Sequence, residues 1–329
     1  MVTVLMTLYN KGPFVEEAMR SVLDGTFQDL ELLVVDDAST DDGPAIVERM
    51  TDPRIRLLRA ERNGGRAAAA NRGYGAARGR YIAVLDADDT AHPERLEKQV
   101  AFMEAHPEVG ACGTAAQYFG GRSDVASWPL TDRECRGKLL FTDPVLYGSA
   151  IFRAAVIQEN GLRSNEQWTL PAEDYLFTVS MSPHTRFANL PDVLLNYRIG
   201  DQNQRHGRDP VADREQVCRA IFDFFSIEAT DAEFGLQLLF HKLVRDPITV
   251  RTVHALWAWR AKLVALNRSR RIFPEDVFEA HLEQCWDTAY HVIADHGLGP
   301  ALAHMRRSGR WSLSRLVYAV KVKVARRGR

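Results

Sequence analysis

The chain has 329 residues, 46% of them hydrophobic and 26% charged, a composition typical of a globular protein with room for one large domain and a smaller one. The four cysteines are far apart and include no Cys-x-x-Cys pair, which argues against a zinc knuckle and a dithiol redox motif. The segment Met1–Leu5 lacks the charged leader and long apolar stretch of a signal peptide, so we expect a cytoplasmic protein.

The formal net charge of −1 conceals a basic C-terminus. The segment from His304 to Arg329 contains nine Arg or Lys residues and no Asp or Glu, and apolar residues such as Trp311 and Leu313 are interleaved with them. This pattern predicts an amphipathic tail that lies on the cytoplasmic face of an anionic membrane. A solvated tail and a tail packed on a protein partner are alternatives, and contact with nucleic acid is the least expected of them.

The N-terminal third of the chain alternates strand-like and helix-like segments. The apolar runs that predict strands are Val2–Leu8, Leu30–Val35, Ile55–Leu58 and Tyr81–Leu85. Helical spacing or start signals lie between them, after Pro13, at Pro44–Met50 and at Arg66–Arg78. The alternation predicts an α/β fold with a mostly parallel, doubly wound sheet, in which ligands bind at the carboxyl ends of the strands.

Three carboxylates follow the strand that begins at Tyr81. Strand side chains alternate between faces, so we expect Asp86 and Asp88 at the end of this strand to point to the same side. Carboxylate oxygens suit Mg²⁺ or Mn²⁺, whose coordination is often completed by substrate phosphates. We therefore predict a metal and diphosphate site; the alternative is that Asp89 or Thr90 caps the next helix, which is expected to start near Pro93.

Two more polar clusters follow the first and second strands. Thr7, Tyr9 and Asn10 end the first strand, and Asp36 and Asp37 end the second. The ring of Tyr9 offers a face for stacking a base, and the carboxylate of Asp37 can accept hydrogen bonds from ring N–H groups of uracil, thymine or guanine. An ordinary turn and helix cap after the second strand is the alternative.

The segment Asn63-Gly64-Gly65-Arg66 combines a flexible turn with a cation at a helix start. Backbone N–H groups at such a position suit a phosphate, and so does the guanidinium of Arg66. A loop with a solvated arginine is the alternative.

Four motifs, taken together and in order, resemble glycosyltransferase family 2. They are Val4–Asn10, Val34–Asp41, the pair Asn71-Arg72-Gly73 and Ala77–Ile82, and Asp86–Asp89. The resemblance covers residues 1–110. It implies a GT-A fold, a nucleotide-sugar donor, a divalent metal (Mn²⁺ or Mg²⁺) and inversion at the anomeric carbon.

The resemblance also implies roles for individual residues. Thr7, Tyr9 and Asp37 would contact the nucleoside, Asp86 would lie near the ribose and the metal, and Asp88 would bind the metal. Asn10 and Asn71 would belong to the same nucleotide-sugar site through their motifs.

One departure from the family pattern concerns the residue before Asn71. Family members often have an Arg there, whereas this chain has Ala70. The resemblance therefore implies that the phosphate contact passes to Arg66 or Arg72.

An acidic pair, Glu173-Asp174, opens a predicted helix in the second half of the domain. By resemblance this is the acceptor half, and one of the two carboxylates is the catalytic base; we choose Asp174, with Glu173 beside it. A positioned carboxylate can remove the proton of an acceptor hydroxyl as that hydroxyl attacks the anomeric carbon. Two ordinary first-turn acids of a helix are the alternative.

A strand containing Tyr197 and Arg198 resembles the one that closes the family domain, and Arg198 is a candidate for contact with the diphosphate. A solvated or salt-bridged arginine is the alternative. Family members often place a His shortly afterwards, whereas this chain has Gly200-Asp201, and the nearest imidazole is that of His206.

From residue 211 the pattern changes to long helices. We predict a glycosyltransferase domain at 1–210, with a nucleotide-sugar half at 1–110 and an acceptor half at 111–210, and a helical module at 211–329. The expected activity is inverting transfer from a nucleoside-diphosphate sugar, UDP-sugar favoured, to a hydroxyl of a glycan or lipid-linked acceptor in polysaccharide or cell-surface glycan synthesis. A nucleotidyltransferase of related fold and a non-catalytic sugar-nucleotide-binding or scaffolding protein are the alternatives. A homo-oligomer is left open.

Overall fold

The structure is a computed structural model that describes residues 1–200 and 207–327. The chain divides into two compact units, Met1–His206 and Gly207–Arg329. The sequence places this division at residue 210, close to the end of the first unit. Asp201, at the position where family members often have a His, and His206, the nearest imidazole, lie outside the described residues.

The described part of the first unit contains nine strands in one sheet. In chain order they are β1 Val2–Leu8, β2 Leu30–Asp36, β3 Ile55–Arg59, β4 Tyr81–Val84, β5 Thr90–Ala91, β6 Val109–Gly120, β7 Val125–Ala126, β8 Ile151–Arg153 and β9 Arg186–Ile199. The helices are α1 Gly12–Leu23, α2 Gly43–Arg49, α3 Arg66–Ala76, α4 Arg95–Ala105, α5 Asp132–Arg136, α6 Ala154–Glu159 and α7 Glu173–Ser180, with a 3₁₀ turn at Tyr147–Ser149.

The strands lie in the order β3-β2-β1-β4-β8-β6-β9-β5, and β7 pairs with β6. The pairs β3–β2, β2–β1 and β1–β4 are parallel, as the alternation of strands and helices predicts. β8 runs antiparallel to both β4 and β6, whereas β9 is parallel to β6. The α/β class is therefore confirmed, with a parallel half that carries the first three polar clusters and a mixed half beyond β4.

The continuous apolar runs are explained by burial on both faces of the sheet. Val4 and Met6 of β1 belong to one core, whereas Leu5 between them belongs to the core on the opposite face. The same alternation holds in β2, where Val34 and Val35 pack into different cores. Helices cover both faces, as is typical of strands without a solvated side.

The prediction that Asp86 and Asp88 extend the fourth strand is wrong. β4 ends at Val84, and the chain turns so that the N–H of Asp89 donates to the carbonyl of Asp86 at 3.1 Å. The reason is the short strand β5, which pairs antiparallel with β9 and forces the chain out of the line of β4. The carboxylates therefore sit on a turn rather than on alternating strand positions. Asp89 does not cap the following helix, which starts at Arg95 after Glu94.

The described part of the second unit is helical, as predicted. Its helices are α8 Pro210–Phe224, α9 Asp231–Phe240, α10 Val250–Arg270, α11 Glu275–Ala294, α12 Leu298–Ser308 and α13 Leu313–Arg327. Thr230 and Thr249 begin α9 and α10 with reciprocal capping boxes that satisfy free N–H groups at those helix starts. Within the ranges that the structure describes, no helix combines the length and the hydropathy that crossing a bilayer requires.

A histidine lies in the core of this second unit. His304 is fully buried and stacks on Trp286, with ring centroids 4.2 Å apart and an angle of 9° between the planes. Its Nε2–H donates to the carbonyl of Trp286 at 2.9 Å, so Nε2 carries the proton of the neutral imidazole, and the buried Nδ1 has no hydrogen-bond partner among the residues described. Burial lowers the pKa of His304 to about 4. The imidazole is therefore a planar side chain packed in the core, where the neutral form is favoured over the protonated form.

Acid should destabilise the second unit through His304. The pKa is about 4 in the folded chain, and about 6.5 in an unfolded chain. Between these values only the unfolded state binds the proton, so the free energy of unfolding falls as the pH is lowered, by about 1–3 kcal/mol in total. Thermal unfolding across this range should show a smaller pH dependence for His304→Gln than for the parent.

The matched control is His184→Gln, which replaces an exposed histidine of the first unit. It should leave the pH dependence as it is in the parent. Equal slopes for the parent and both variants would contradict a buried neutral His304.

Candidate active site

The polar ends of β1 and β2 lie side by side. The side-chain oxygen of Asn10 accepts a hydrogen bond from the N–H of Thr40 at 2.8 Å, and the N–H of Asn10 donates to the hydroxyl of Ser39 at 3.1 Å. Asn10 adopts the left-handed conformation, with φ 51°, which asparagine tolerates better than most residues. The first two clusters of the sequence thus form one continuous edge.

The carboxylate of Asp37 connects this edge to the glycine turn before α3. Its two oxygens accept from the N–H groups of Gly64 and Gly65 at 2.9 and 2.7 Å. The N–H groups that the sequence assigned to a phosphate are therefore directed at Asp37. Each carboxylate oxygen has a second lone pair, so the role of Asp37 toward a base stays a prediction. Tyr9 is 47% exposed.

Arg66 brings three carboxylates together. Its Nε lies 2.8 Å from Oε1 of Glu173, and its Nη2 lies 3.7 Å from Oδ1 of Asp86 and 4.0 Å from Oδ2 of Asp174. Although burial opposes it, these negative charges raise the pKa of the Arg66 guanidinium well above its ordinary value. A single cation at the start of α3 therefore joins the turn after β4 to the start of α7.

The acidic pair opens α7 as the sequence predicts, and the backbone before it is strained. Ala172 has φ 76°, a left-handed conformation that costs an alanine about 1–3 kcal/mol. The side chain of Glu173 is only 8% exposed, whereas that of Asp174 is 26% exposed. Burial, reinforced by the charges of Asp174 and Asp86 and opposed by Arg66, raises the pKa of Glu173 to about 7.

The carboxylates of the β4–β5 turn are held in a negative environment. Burial, and then the neighbouring charge of Asp88, raises the pKa of Asp86 against the opposing effect of Arg66. Burial and the charge of Asp86 raise the pKa of Asp89 strongly. Oδ1 of Asp89 accepts from the N–H of Arg198 at 2.7 Å, whereas its buried Oδ2 has no hydrogen-bond partner among the residues described. Asp88 is paired with Lys11, whose Nζ lies 2.6 Å from Oδ2.

These carboxylates suit a divalent cation that is bound together with phosphates. Three or more His, Cys, Asp or Glu side chains arranged as a complete metal site do not occur in the described ranges. Two carboxylates are sufficient where a substrate's phosphates supply further oxygens. The buried Oδ2 of Asp89 has no hydrogen-bond partner among the residues described, so one carboxylate oxygen of this turn is left without a counterpart. The assignment of Asp86 and Asp88 as metal ligands stays a prediction.

Asn71 connects the two halves of the unit. Its side-chain oxygen accepts from the N–H of Ser164 at 2.8 Å, and its amide group donates to the carbonyl of Ser164 and to the carboxylate of Glu166, both at 2.9 Å. Arg72 beside it is exposed. Of the two arginines proposed to replace the one absent at Ala70, Arg66 is therefore the one that lies among the carboxylates.

Arg198 lies close to the turn but is held by other groups. Its Nε donates to the carbonyl of Asp88 at 2.8 Å, and its Nη2 donates to Glu17 at 2.7 Å. The guanidinium also lies over the rings of Phe14 and Phe119, 4.8 and 4.4 Å from their centroids. Its role toward a diphosphate stays a prediction, and in this arrangement its contacts stabilise the turn.

The family of this chain follows from its similarity to known proteins. A family model described as "Glycosyl transferase family 2" matches residues 3–155. The amylovoran biosynthesis glycosyltransferase AmsE of Erwinia amylovora is 31% identical over 229 residues, which make up 67% of this chain and 85% of AmsE. The chain belongs to glycosyl transferase family 2.

Other relatives match smaller shares of this chain. The uncharacterized glycosyltransferase MJ1057 of Methanocaldococcus jannaschii is 37% identical over 212 residues, which are 62% of this chain and 72% of MJ1057. The succinoglycan biosynthesis protein ExoO of Rhizobium meliloti is 44% identical over 104 residues, or 32% of this chain. The chain spans 65% of the length of an uncharacterized Haemophilus influenzae glycosyltransferase and 30% of ExoO.

A solved structure supports the fold of this family 2 chain. Residues 1–349 of Staphylococcus aureus TarS, in complex with UDP-GlcNAc, match it with a TM-score of 0.59 and 19% identity, over 100% of this chain and 92% of that one. At this identity the likeness concerns the fold alone. It confirms the GT-A-like α/β architecture followed by a helical region.

Sequence reasoning did not identify Arg95, a buried cation beneath the acidic turn. It donates to the carbonyl of Val84 at 2.7 Å and to the side chain of Gln99 at 3.1 Å. Burial lowers its pKa to about 10, and the charges of Asp89 and Asp86 oppose this effect. The signal in the sequence is the i, i+4 pair of polar residues beside the apolar stripe of α4.

Glu173→Gln should stabilise the first unit at neutral and alkaline pH. The pKa of Glu173 is about 7 in the folded chain, above its ordinary value of 4.5, so the unfolded state loses its proton first as the pH rises. The parent therefore loses about 1–3 kcal/mol of unfolding free energy between these values, and the glutamine variant does not. The difference in melting temperature between Glu173→Gln and the parent, measured in the presence of EDTA, should grow with pH.

Glu159→Gln, an exposed change on α6, is the control and should show no such trend. A difference between parent and Glu173→Gln that stays constant with pH would show that Glu173 ionises normally.

Proposed function

We propose that this chain is a metal-dependent, inverting glycosyltransferase that moves a sugar from a nucleoside-diphosphate sugar, UDP-sugar favoured, to a hydroxyl of a glycan or lipid-linked acceptor. The observation that carries the proposal is the position of Arg66 between Asp86 and the pair Glu173 and Asp174. One group of charges thus contains residues suited to the leaving diphosphate and residues suited to the attacking hydroxyl.

The donor nucleoside is proposed to bind along the edge formed by β1 and β2. The exposed ring of Tyr9 can stack on the base, and Thr7 lines a small pocket together with Arg66, Glu173 and Asp174. Asp37, held in place by Gly64 and Gly65, can accept a ring N–H through its remaining lone pairs. Asn10 and Asn71 support the surrounding segments through the hydrogen bonds described above.

The diphosphate is proposed to lie between this edge and the acidic turn. Arg66 can donate two parallel hydrogen bonds to phosphate oxygens, and doing so would weaken its contact with Glu173. Asp86 and Asp88 are proposed to hold Mn²⁺ or Mg²⁺, and the cation would neutralise charge on the departing diphosphate. Lys11, now paired with Asp88, is a second cation within reach of this region.

Asp174 is the proposed base for the acceptor. Its carboxylate is the more exposed of the pair, and one of its oxygens accepts the N–H of Tyr175 at 2.8 Å, which fixes its direction. It would take the hydroxyl proton while the hydroxyl oxygen attacks the anomeric carbon from the side opposite the diphosphate, so the configuration inverts.

The acceptor class is proposed from the relatives. AmsE and ExoO are named for the biosynthesis of amylovoran and succinoglycan, and each shares over 30% identity with this chain across the matched segment. We therefore propose a role in polysaccharide or cell-surface glycan synthesis. TarS has been solved with UDP and with UDP-GlcNAc, which makes UDP the first nucleotide to test.

Asp88→Asn should remove the part of nucleotide binding that depends on Mn²⁺. In the parent, UDP should raise the melting temperature more with Mn²⁺ than with EDTA. Loss of a ligand should weaken the Mn²⁺-dependent affinity at least about tenfold. Thermal shift and calorimetry with the diphosphates of uridine, thymidine, guanosine and adenosine measure this affinity. Adenosine diphosphate should bind most weakly, because adenine lacks the ring N–H from which Asp37 would accept a hydrogen bond.

The control is Asp29→Asn, which changes an exposed aspartate immediately before β2, at the opposite edge of the sheet. It should bind like the parent. An Asp88→Asn chain with unchanged Mn²⁺-dependent affinity would overturn the assignment.

Asp174→Asn should abolish transfer while leaving donor binding intact. Loss of a general base lowers the rate constant by about 10²–10⁴-fold. UDP release with an acceptor used by the parent, together with calorimetric donor affinity, separates the two effects. Glu173→Gln is the paired variant, and it should retain more activity because Glu173 is buried against Arg66.

A reversed order, with Glu173→Gln inactive and Asp174→Asn active, would make Glu173 the base. Donor binding without transfer by the parent to any acceptor tested would favour the non-catalytic alternative.

A further inference from the structure

Helix α13 has an apolar face that the core does not use. Leu313, Val317 and Val320 are 78%, 43% and 42% exposed, and Trp311 in the turn before the helix is 63% exposed. The spacing of four and three residues places the three aliphatic side chains on one side of the helix. We call these four residues the outer stripe.

A different side of α13, about 100° around the helix from the outer stripe, is packed on the rest of the second unit. Ala319 is fully buried with Tyr290 and Ala294, and Leu316 packs against the same cluster. The hydroxyl of Tyr318 donates to Oδ1 of Asp295 at 2.8 Å. The helix is therefore held through one apolar face, and the outer stripe is a second one. A surface helix that only served the core would present polar residues there.

The charge around the outer stripe is positive. The segment from His304 to Arg329 has nine basic residues and no acidic residue. Arg306, Arg307 and Lys321 are exposed, and Lys321 follows Val317 by one helical turn. Arg310, immediately before Trp311, is instead paired with Glu283 and Asp287 of α11, and this pairing ties the turn that carries Trp311 to the rest of the unit.

We propose that the outer stripe inserts into the interface of an anionic lipid bilayer, with the surrounding Arg and Lys side chains on the headgroups. Exposed aromatic and aliphatic side chains beside basic residues match that environment in both polarity and charge. The sequence alone predicts one amphipathic segment from His304 to Arg329. In the structure Leu316 and Ala319 pack into the core, so only the outer stripe is available to the bilayer.

A second copy of the chain suits this face less well. A symmetric contact would place the two basic segments against each other, and like charges at an interface oppose association. A nucleic acid would satisfy the charge but would leave the aliphatic residues Leu313, Val317 and Val320 without apolar partners. The bilayer surface satisfies both requirements.

The test is co-sedimentation of the full chain with vesicles of phosphatidylcholine alone and of phosphatidylcholine mixed with phosphatidylglycerol. Binding should require the anionic lipid and should weaken with added salt. Leu313→Gln with Val317→Gln should reduce the partition coefficient about a hundredfold, since each buried aliphatic side chain contributes about a factor of ten. Lys321→Glu should reduce it about tenfold as well.

Trp311 provides a second readout. The other five tryptophans are buried or half-buried, so insertion should shift fluorescence to the blue in the parent and much less in Trp311→Phe. Val250→Gln, which changes a valine 41% exposed on α10, is the matched control and should bind vesicles like the parent. Circular dichroism of each variant checks that the helical unit remains folded.

Equal binding of the parent and the stripe variants, or no binding to anionic vesicles, would overturn the proposal. So would self-association without vesicles that Leu313→Gln abolishes, because that result would assign the stripe to a second copy. None of these measurements uses donor binding or transfer, so the membrane proposal and the proposed activity can fail separately.

Discussion

The first unit depends on one electrostatic constraint, which is the crowding of carboxylates at one edge of the sheet. Asp89 and Glu173 are buried and Asp86 is half-buried, and burial together with the like charge of neighbouring carboxylates raises the pKa of each. Such a cluster is costly in an isolated fold unless cations offset it. Arg66 supplies one positive charge from within the cluster, and the buried Arg95 supplies another from beneath. A divalent cation would offset the negative charge that remains, and substrate phosphates would complete its coordination.

Arg66 has a particular place in this balance because its partners come from separate parts of the chain. It is the first residue of α3, Asp86 follows β4, and Glu173 begins α7. Its guanidinium therefore joins the half proposed for the donor to the half proposed for the acceptor. A phosphate that draws Arg66 toward itself would loosen the contact with Glu173, so the two halves share a single cation. Asn71 makes a parallel connection through Ser164 without charge.

Much of this site could be predicted from sequence because it depends on local periodicity and on one topological rule. The apolar runs locate β1, β2 and β4, parallel strands align their carboxyl ends, and the polar residues after them meet. The turn at Asp86 could not be predicted, because it is imposed by pairing of β5 with β9, far along the chain. The pair of Lys11 with Asp88, which are 77 residues apart, also depends on tertiary packing. Arg95 was missed because a charged residue beside an apolar stripe is usually solvated.

The adjacent carboxylates Glu173 and Asp174 illustrate how one backbone feature separates two chemically similar groups. The left-handed conformation of Ala172 directs the start of α7 so that Glu173 turns inward and Asp174 remains partly open. A buried carboxylate paired with an arginine at 2.8 Å is suited to positioning that arginine. A carboxylate with an accessible oxygen is suited to receiving a proton from an incoming hydroxyl. Exposure distinguishes the two groups, and it favours Asp174 as the group that meets the acceptor.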